Sequence, residues 1–263
     1  MENAYQSSQL NVEVFGKNRL EKLSDYFESV RYFFSEPYLP KRFSMLDIGG
    51  SSGNFIEAIN SEEFSVKGTV IDPDPLSIQE GREKRTSVDF LEDYFPSTKY
   101  QMNDGSYDVV SMQGLFPQIP TWKETVFEMV RIAKKFVNIS LTFQLEGSAV
   151  IDKDRSYFYY LDTGERVHQV IHNIYEFTNF LSIHELRVKK INFYGYHTMN
   201  PGDNFRSVPN DKQIKGNLLL ELFEAGEQYP DRMGGGSNLK GLSGYEFFSP
   251  EKNFVIDGER FSI

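Results

Sequence analysis

Residues 45–55 read MLDIGGSSGNF, in which an apolar run is followed by one acidic residue and then by a turn with three glycines. The residues before the turn predict a short buried strand, and those after it begin a helical pattern. Glycines in a strand–turn–helix corner let the backbone approach a ligand, while the start of the helix offers N–H groups. This stretch therefore indicates a nucleotide-binding corner, with a tight structural corner that binds no ligand as the alternative.

The spacing of the glycines distinguishes two kinds of nucleotide site. Gly49, Gly50 and Gly53 give the pattern G-G-x-x-G, which does not match the G-x-G-x-x-G pattern of dinucleotide sites. Asp47 stands two residues before the first glycine, where a dinucleotide site needs no charge. A carboxylate at this position suits a ligand that carries an ammonium group.

Strand and helix patterns alternate through the first 143 residues, which predicts a parallel, doubly wound sheet. The predicted strands are FSMLDI (43–48), SVKGTVID (65–72), TSVDFL (86–91), YDVVSMQ (107–113) and FVNISLTF (136–143). The predicted helices begin in NFIEAINSE (54–62), DPLSIQEGREKR (74–85) and TWKETVFEMVRIAKK (121–135).

The pattern changes after residue 143. The sequence predicts a hairpin around Asp162–Glu165, a helix in 172–187, two strands at 188–197 and 214–223, and a C-terminal hairpin at Asp257-Gly258. A long polar loop joins the two strands. This loop (200–213) and the aromatic segment 156–160 are the candidate substrate-recognition elements.

The residues from Leu46 to Gly53 resemble the first motif of class I S-adenosylmethionine-dependent methyltransferases: an apolar strand, an acid, an apolar residue and a glycine turn. Ser51 replaces the middle glycine of that family. The segment 103–122, NDGSYDVVSMQGLFPQIPTW, resembles the family's fourth motif, with Phe116-Pro117 where relatives often carry histidine. The resemblance covers roughly residues 40–143.

The resemblance implies one α/β domain over residues 1–263, a length within the range of a single domain. Its expected fold is a doubly wound, seven-stranded, mostly parallel sheet with an antiparallel last strand, plus an N-terminal helix and inserted and C-terminal hairpins. We expect four segments: a helical cap (1–40), the cofactor-binding core (41–143), substrate-side insertions with the last strands (144–225) and a C-terminal extension (226–263).

The resemblance also implies S-adenosylmethionine (SAM) as cofactor. Asp47 would bind the ammonium of its methionine end, directly or through water, and Asp72, about 20 residues after the turn, would bind the ribose hydroxyls. An N-cap of the following helix is the alternative role for Asp72. The complete set of expected cofactor-binding residues is Asp47, Gly49, Gly50, Ser51, Gly53, Asp72, Phe90, Leu91 and Gln113, with Phe90 and Leu91 beside the adenine.

We expect a small polar or carbohydrate acceptor, with O-methylation preferred to N-methylation. The acceptor should lie between three strand ends, at Gln113, at Thr142 with Phe143, and at Tyr196 with His197. His197 is the candidate catalytic base because histidine titrates near neutral pH; an exposed loop residue is the alternative. His168 and His172 are second candidates. No cluster with metal-ligand spacing stands out, so no metal is expected.

Composition restricts the partners further. The sequence has 38 acidic and 28 basic residues, a net charge of −10, which lacks the basic surface that nucleic acids or anionic membranes attract. The absence of cysteine excludes disulfides and zinc–thiolate sites.

The N-terminus has no signal-peptide pattern, and no apolar run approaches the ~18 residues of a membrane span, so we expect a cytoplasmic protein. The oligomeric state stays open.

Two other functions remain open. A non-catalytic protein with the same fold that binds SAM or S-adenosylhomocysteine (SAH), or that serves interactions, is favoured by Ser51 and by Phe116-Pro117. A nicotinamide-dependent oxidoreductase is the third hypothesis. The glycine spacing and the lack of a recognisable Tyr-x-x-x-Lys pair argue against it.

Overall fold

A computed structural model of the chain describes residues 40–60, 64–145, 157–160, 166–183, 186–197, 205–208, 214–224, 251–256 and 259–261. The predicted helical cap (1–40, apart from its last residue), the turn Asp162–Glu165 and the Asp257-Gly258 pair lie outside these residues.

The described strands and helices follow the predicted order closely. The strands are β1 (Arg42–Ile48), β2 (Ser65–Asp72), β3 (Val88–Glu92), β4 (Tyr107–Met112), β5 (Ala133–Gln144), β6 (Tyr157–Tyr160), β7 (Arg166–His168), β8 (His172–Asn173), β9 (Val188–His197), β10 (Phe205–Val208), β11 (Ile214–Leu222), β12 (Glu251–Ile256) and β13 (Glu259–Phe261). The helices are α1 (Asn54–Ile59), α2 (Pro75–Lys84), α3 (Trp122–Ile132) and α4 (Ile174–Ile183). None of these helices is long and apolar enough to cross a membrane.

The main sheet has the strand order β13-β12-β9-β11-β5-β4-β1-β2-β3. Strands β1 to β5 pair in parallel, while β11 is antiparallel to both β5 and β9. This confirms the doubly wound, mostly parallel sheet and its antiparallel last strand. The C-terminal hairpin β12–β13 is present as predicted, and it also extends the main sheet, because β12 pairs in parallel with β9.

Helices cover both faces of the sheet. On one face, α1 and α2 pack on an apolar cluster that includes Met45 of β1 and Val109 of β4. On the other face, α3 and α4 pack on a larger cluster that includes Leu46 and Val110. Since side chains alternate along a strand, Asp47 lies on the same face as Met45.

A second, three-stranded sheet has the order β10-β6-β7. The antiparallel pair β6–β7 is the predicted hairpin. The segment between β9 and β11 was predicted as a polar loop throughout, and this was wrong for Phe205–Val208, which form β10 and pair with β6. The two candidate substrate-recognition segments therefore meet in one sheet.

Two predicted helix bounds were wrong. The helix predicted through Lys135 ends at Ile132, and Ala133 already belongs to β5. The guanidinium of Arg187 donates hydrogen bonds to the carbonyls of Val130 (2.9 Å) and Ala133 (2.8 Å), so a residue distant in sequence supplies partners where the helix stops.

The helix predicted from His172 begins at Ile174. The side-chain oxygen of Asn173 accepts hydrogen bonds from the N–H groups of Tyr175 (2.9 Å) and Glu176 (3.0 Å), which makes Asn173 the cap. His172 instead lies in β8 and pairs with Phe143.

Candidate active site

The glycine turn between β1 and α1 adopts left-handed backbone conformations at three positions. These are Gly49 (φ 69°), Ser51 (φ 52°) and Gly53 (φ 84°). Ser51, which replaces a glycine of the resembling family, thus keeps the conformation that glycine favours. The N–H of Gly49 donates to the carbonyl of Ile71 at 2.8 Å, which joins the turn to the end of β2.

The turn leaves no room for side chains at its first two glycines. A Cβ atom on Gly50 would lie 2.5 Å from Oδ2 of Asp47, and one on Gly49 would lie 2.6 Å from Cδ2 of Leu115. Glycine is therefore needed at both positions for close approach, and at Gly49 for its backbone conformation as well. The Asp47 carboxyl lies directly beneath this turn.

Asp47 is buried, with 1% of its surface exposed. Neither of its carboxyl oxygens has a hydrogen-bond partner among the described residues. Burial, and secondarily the negative charge of Asp72, raises the pKa of Asp47 to about 8. A carboxyl group that is buried without a partner is costly, and a cationic ligand group would offset that cost.

Asp72 ends β2 beside the turn. Its Oδ2 accepts the N–H of Ser51 and its Oδ1 accepts the N–H of Asp74, both at 2.9 Å. Burial raises the pKa of Asp72, although these two hydrogen bonds act in the opposite direction. Each carboxylate oxygen keeps a second lone pair, so both can still accept from ligand hydroxyls.

The alternative role of Asp72 as a helix cap belongs to another residue. Asp74 is the N-cap of α2, and its carboxylate accepts hydrogen bonds from the N–H groups of Leu76 (3.2 Å) and Ser77 (3.3 Å). The Ser77 hydroxyl donates to the same carboxylate at 2.6 Å. Asp72 is thus not the cap of this helix.

The two residues expected beside the adenine lie on opposite faces of β3. Phe90 is buried in the α1–α2 cluster, where its ring lies so close that a Cβ on Gly81 would come within 2.3 Å of Cε1. A Cβ on Gly53 would come within 3.1 Å of the same ring. This packing assigns Phe90 a supporting position beneath the turn. Leu91 is only partly buried and packs against the other cluster.

Arg85, at the end of α2, is a residue that sequence reasoning missed. Its guanidinium donates to the carbonyl of Ser52 at 2.8 Å, to Oδ1 of Asn54, and to Glu57 at 2.8 Å. It thereby connects α2 to the end of the glycine turn and to α1. No local pattern signals this contact, because the partners lie about 30 residues earlier in the chain.

A row of buried polar residues crosses three adjacent strands next to the turn. Asp47 of β1 is in register with Ser111 of β4, and Ser111 is in register with Asn138 of β5. We call these three residues the polar row. Gln113, expected to bind cofactor, donates a hydrogen bond from Nε2 to the Ser111 hydroxyl at 2.9 Å. The row brings the predicted cofactor side and the predicted acceptor side onto one face of the sheet.

The expected acceptor residues on β5 divide between the two faces. Thr142 is buried on the face of the polar row, four residues after Asn138 on the same strand. Phe143 instead packs against Phe193 on the opposite face, with ring centroids 4.7 Å apart. Phe143 therefore belongs to the core.

The histidine candidates lie in different environments. The backbone of His197 pairs with Ile214 at the edge where the parallel strands end, and its side chain lies outside the described residues. His172 stacks on Phe116 with centroids 5.3 Å apart, and burial lowers its pKa to about 3. His172 is therefore neutral near pH 7 and sits inside the aromatic core. His168 ends β7.

Comparisons with known proteins give matches to the fold of this chain but none to its sequence. Neither a scan against protein-family models nor a search of curated protein sequences gives a match. Solved structures do match, among them a putative sarcosine dimethylglycine methyltransferase from Galdieria sulphuraria (TM-score 0.56, 13% identity, covering 77% of this chain and 87% of that chain). Another is the plantazolicin methyltransferase BpumL in complex with a monoazolic desmethylPZN analog and SAH (TM-score 0.54, 14% identity, covering 84% and 91%).

A third match is a chain in the complex between the Haloferax volcanii Trm112 methyltransferase activator and a putative methyltransferase (TM-score 0.50, 12% identity, covering 83% and 98%). At these identities the similarity concerns the fold alone. The chain has the class I methyltransferase fold, as the resemblance of its glycine turn predicted.

Proposed function

We propose that this protein is a SAM-dependent methyltransferase that acts on a small polar or carbohydrate acceptor, with O-methylation preferred. The observation that carries the proposal is the buried, unpartnered carboxyl of Asp47 beneath a turn that excludes side chains at Gly49 and Gly50. The structural matches, one of them solved with SAH, support the same class of ligand.

The residues around the turn fit the donor molecule. Asp47 would bind the ammonium of the methionine end, and Asp72 would accept hydrogen bonds from the ribose hydroxyls. The backbone of the glycine turn would lie directly against the ligand between these two groups. Leu91 would lie beside the adenine, while Phe90 and Arg85 would support the turn from behind. Gln113 would complete the site at the end of β4.

When bound, SAM would supply an activated methyl group for the acceptor oxygen and would leave as SAH, while the hydroxyl proton would pass to a base of the protein. The protein must hold the acceptor in line and exclude water, and such positioning contributes roughly 7–11 kcal/mol. We propose His197 as the base, a role worth about 10²–10⁴-fold in rate. The net charge of −10 supports a small-molecule acceptor rather than nucleic acid.

Calorimetric titration with SAM and SAH, with NADH as control, tests the proposal. We expect saturable binding of both methyl-donor compounds and no binding of NADH. Binding of NADH alone would replace the proposal with the oxidoreductase hypothesis, and binding of none would leave the turn as a structural corner.

The second candidate function is a non-catalytic protein that binds SAM or SAH. It is favoured by the buried position of Phe116, which packs on His172 in the segment where members of the resembled family often carry histidine. Transfer of a radiolabelled methyl group from SAM to any member of an acceptor panel would exclude it. SAH binding without transfer to any member would favour it.

A further inference from the structure

Besides Asp47, Asn138 is the second residue of the polar row whose side chain has no hydrogen-bond partner in the part of the chain that the structure describes. Asn138 lies in the interior of β5 with 0% of its surface exposed. Neither its Oδ1 nor its Nδ2 has a hydrogen-bond partner among the described residues. Buried amides are almost always hydrogen-bonded, so this one calls for an explanation.

The surroundings of Asn138 change from apolar to polar along the same face of the sheet. One level toward the start of the strands, Phe136 is in register with Val109, and both lie in the apolar cluster. One level toward the end of the strands, Ser140 is in register with Asn217 of β11. Asn138 thus lies at the base of a polar surface that runs toward the carboxyl ends of the strands.

The proposed cofactor residues all lie to one side of Asn138 on the sheet. The proposed contacts to SAM lie on β1 with its turn, on β2, on β3 and at Gln113 after β4, while Asn138 lies on β5, two strands from Asp47. Neighbouring strands are about 4.8 Å apart, so the backbones of Asp47 and Asn138 are separated by about 10 Å. At this distance Asn138 would lie beside the methionine end of a bound cofactor, on the side where we expect the acceptor.

We propose that Asn138 is an acceptor-binding residue whose carboxamide holds a hydroxyl group of the acceptor; this rests on the proposed methyl transfer. A hydroxyl satisfies both unpartnered atoms, because it donates to Oδ1 and accepts from Nδ2. A carboxylate or an ammonium group would satisfy only one of them. Together with the small polar or carbohydrate acceptor of the proposed function, this gives an uncharged polyhydroxyl compound as the acceptor class.

Thermal unfolding of Asn138→Leu, a change of similar size, tests whether the amide lacks a partner in the protein. Replacing an unpartnered buried amide by an apolar group removes an uncompensated cost, so we expect an unchanged or raised Tm. Asn173→Leu is the matched control, because Asn173 is also buried but caps α4. The Tm of this variant should fall, since the helix cap is lost. SAH affinity should stay within about twofold in both variants. A fall in Tm for Asn138→Leu equal to that of the control would overturn the proposal.

Activity then tests the acceptor class. The probes are myo-inositol, methyl α-D-glucoside and single-deoxy analogues of each, with radiolabelled SAM as donor. For a probe that the wild type methylates, Asn138→Leu should lower kcat/KM by about 10- to 100-fold. The wild type should discriminate against one deoxy analogue, and Asn138→Leu should not.

The outcomes separate this proposal from the proposed function. Equal kcat/KM in wild type and Asn138→Leu would remove Asn138 from acceptor binding while leaving methyl transfer intact. Methylation of another acceptor in the panel, with no methylation of any polyhydroxyl probe, would overturn the polyhydroxyl class while leaving methyl transfer intact. A wild type that binds neither SAM nor SAH would overturn both proposals.

Discussion

Among single residues, Asp47 links the chemistry of the site to the stability of the fold. Its pKa is raised to about 8 by burial, so the folded protein keeps this proton at neutral pH. In the unfolded chain the same carboxyl loses its proton near pH ~3.9. Between these values the folded state binds more protons than the unfolded state, and the contribution of Asp47 to stability therefore falls as the pH rises from about 4 to about 8.

Asp47→Asn should remove this dependence. We expect the variant to be more stable than the wild type at pH 8 and close to it at pH 5, because an amide does not titrate. It should also lose SAH affinity, since it cannot neutralise an ammonium group. Urea denaturation at the two pH values and calorimetry measure these effects; a stability difference that does not change with pH would contradict the raised pKa.

Asp72 and Asp74 form a matched pair of neighbouring carboxylates. Asp72→Ala should weaken SAH binding by about 1.5–3 kcal/mol, as expected for lost hydrogen bonds to a charged group. Asp74→Ala should instead cost about 1 kcal/mol of stability, through the lost helix cap, with SAH affinity retained. Calorimetry and urea denaturation distinguish the two results, and an unchanged SAH dissociation constant for Asp72→Ala would exclude a ribose contact.

His197→Ala tests the proposed base. Turnover of an identified acceptor should fall by about 10²–10⁴-fold, while SAH affinity stays unchanged, because a base acts on the acceptor and not on the donor. Steady-state kinetics and calorimetry provide the two readings. Normal turnover would show that another group, or water, takes the proton.

At the scale of elements, the glycine turn depends on conformation at position 51. Ser51→Gly should retain SAH affinity and stay within about 1 kcal/mol of wild-type stability, because glycine adopts the same positive φ and only the Ser51–Ser77 hydroxyl contact (3.1 Å) is lost. Ser51→Val should cost about 1–2 kcal/mol or more, since a branched side chain opposes that conformation. If both variants lose SAH affinity equally, the hydroxyl and not the backbone conformation is what matters.

Elements with local signals could be predicted from the sequence. The apolar run and glycines of 45–55 were sufficient for β1, the turn and α1, and the resemblance to a known motif pointed to Asp47. The end of α3 at Ile132 could not be predicted, because it depends on Arg187, which contacts it from far along the chain. For the same reason, neither the contacts of Arg85 nor the unpartnered amide of Asn138 could be predicted, because both depend on strand register and packing.

At the scale of the whole molecule, the C-terminal strand β12 belongs to the half of the sheet that is distant from the cofactor residues. Phe254 is buried and its ring lies 6.0 Å from that of Phe193. Phe254→Ala should therefore cost about 3–5 kcal/mol of stability, with SAH affinity unchanged. Urea denaturation and calorimetry measure both. Val255→Ala, at a half-buried position on the same strand, should cost less; weaker SAH binding in Phe254→Ala would show that the two halves are coupled.

The seven-stranded core could be predicted because each of its strands has an apolar pattern and the family resemblance implies a mostly parallel sheet with an antiparallel last strand. The joining of β12 to β9 could not, since a hairpin signal does not indicate which strand the hairpin will pair with. The pairing of β10 with β6 could not be predicted for the same reason.

The strands β12 and β13 change which strand forms the edge of the main sheet. Without them the border would be β9, a strand of 10 residues with open backbone groups along its length. With them the border is β13, which has 3 residues and exposes Glu259 and Arg260. Long unpaired borders attract strands from other chains, whereas short charged ones do not. The C-terminal hairpin therefore protects the protein against aggregation at a position remote from its chemistry.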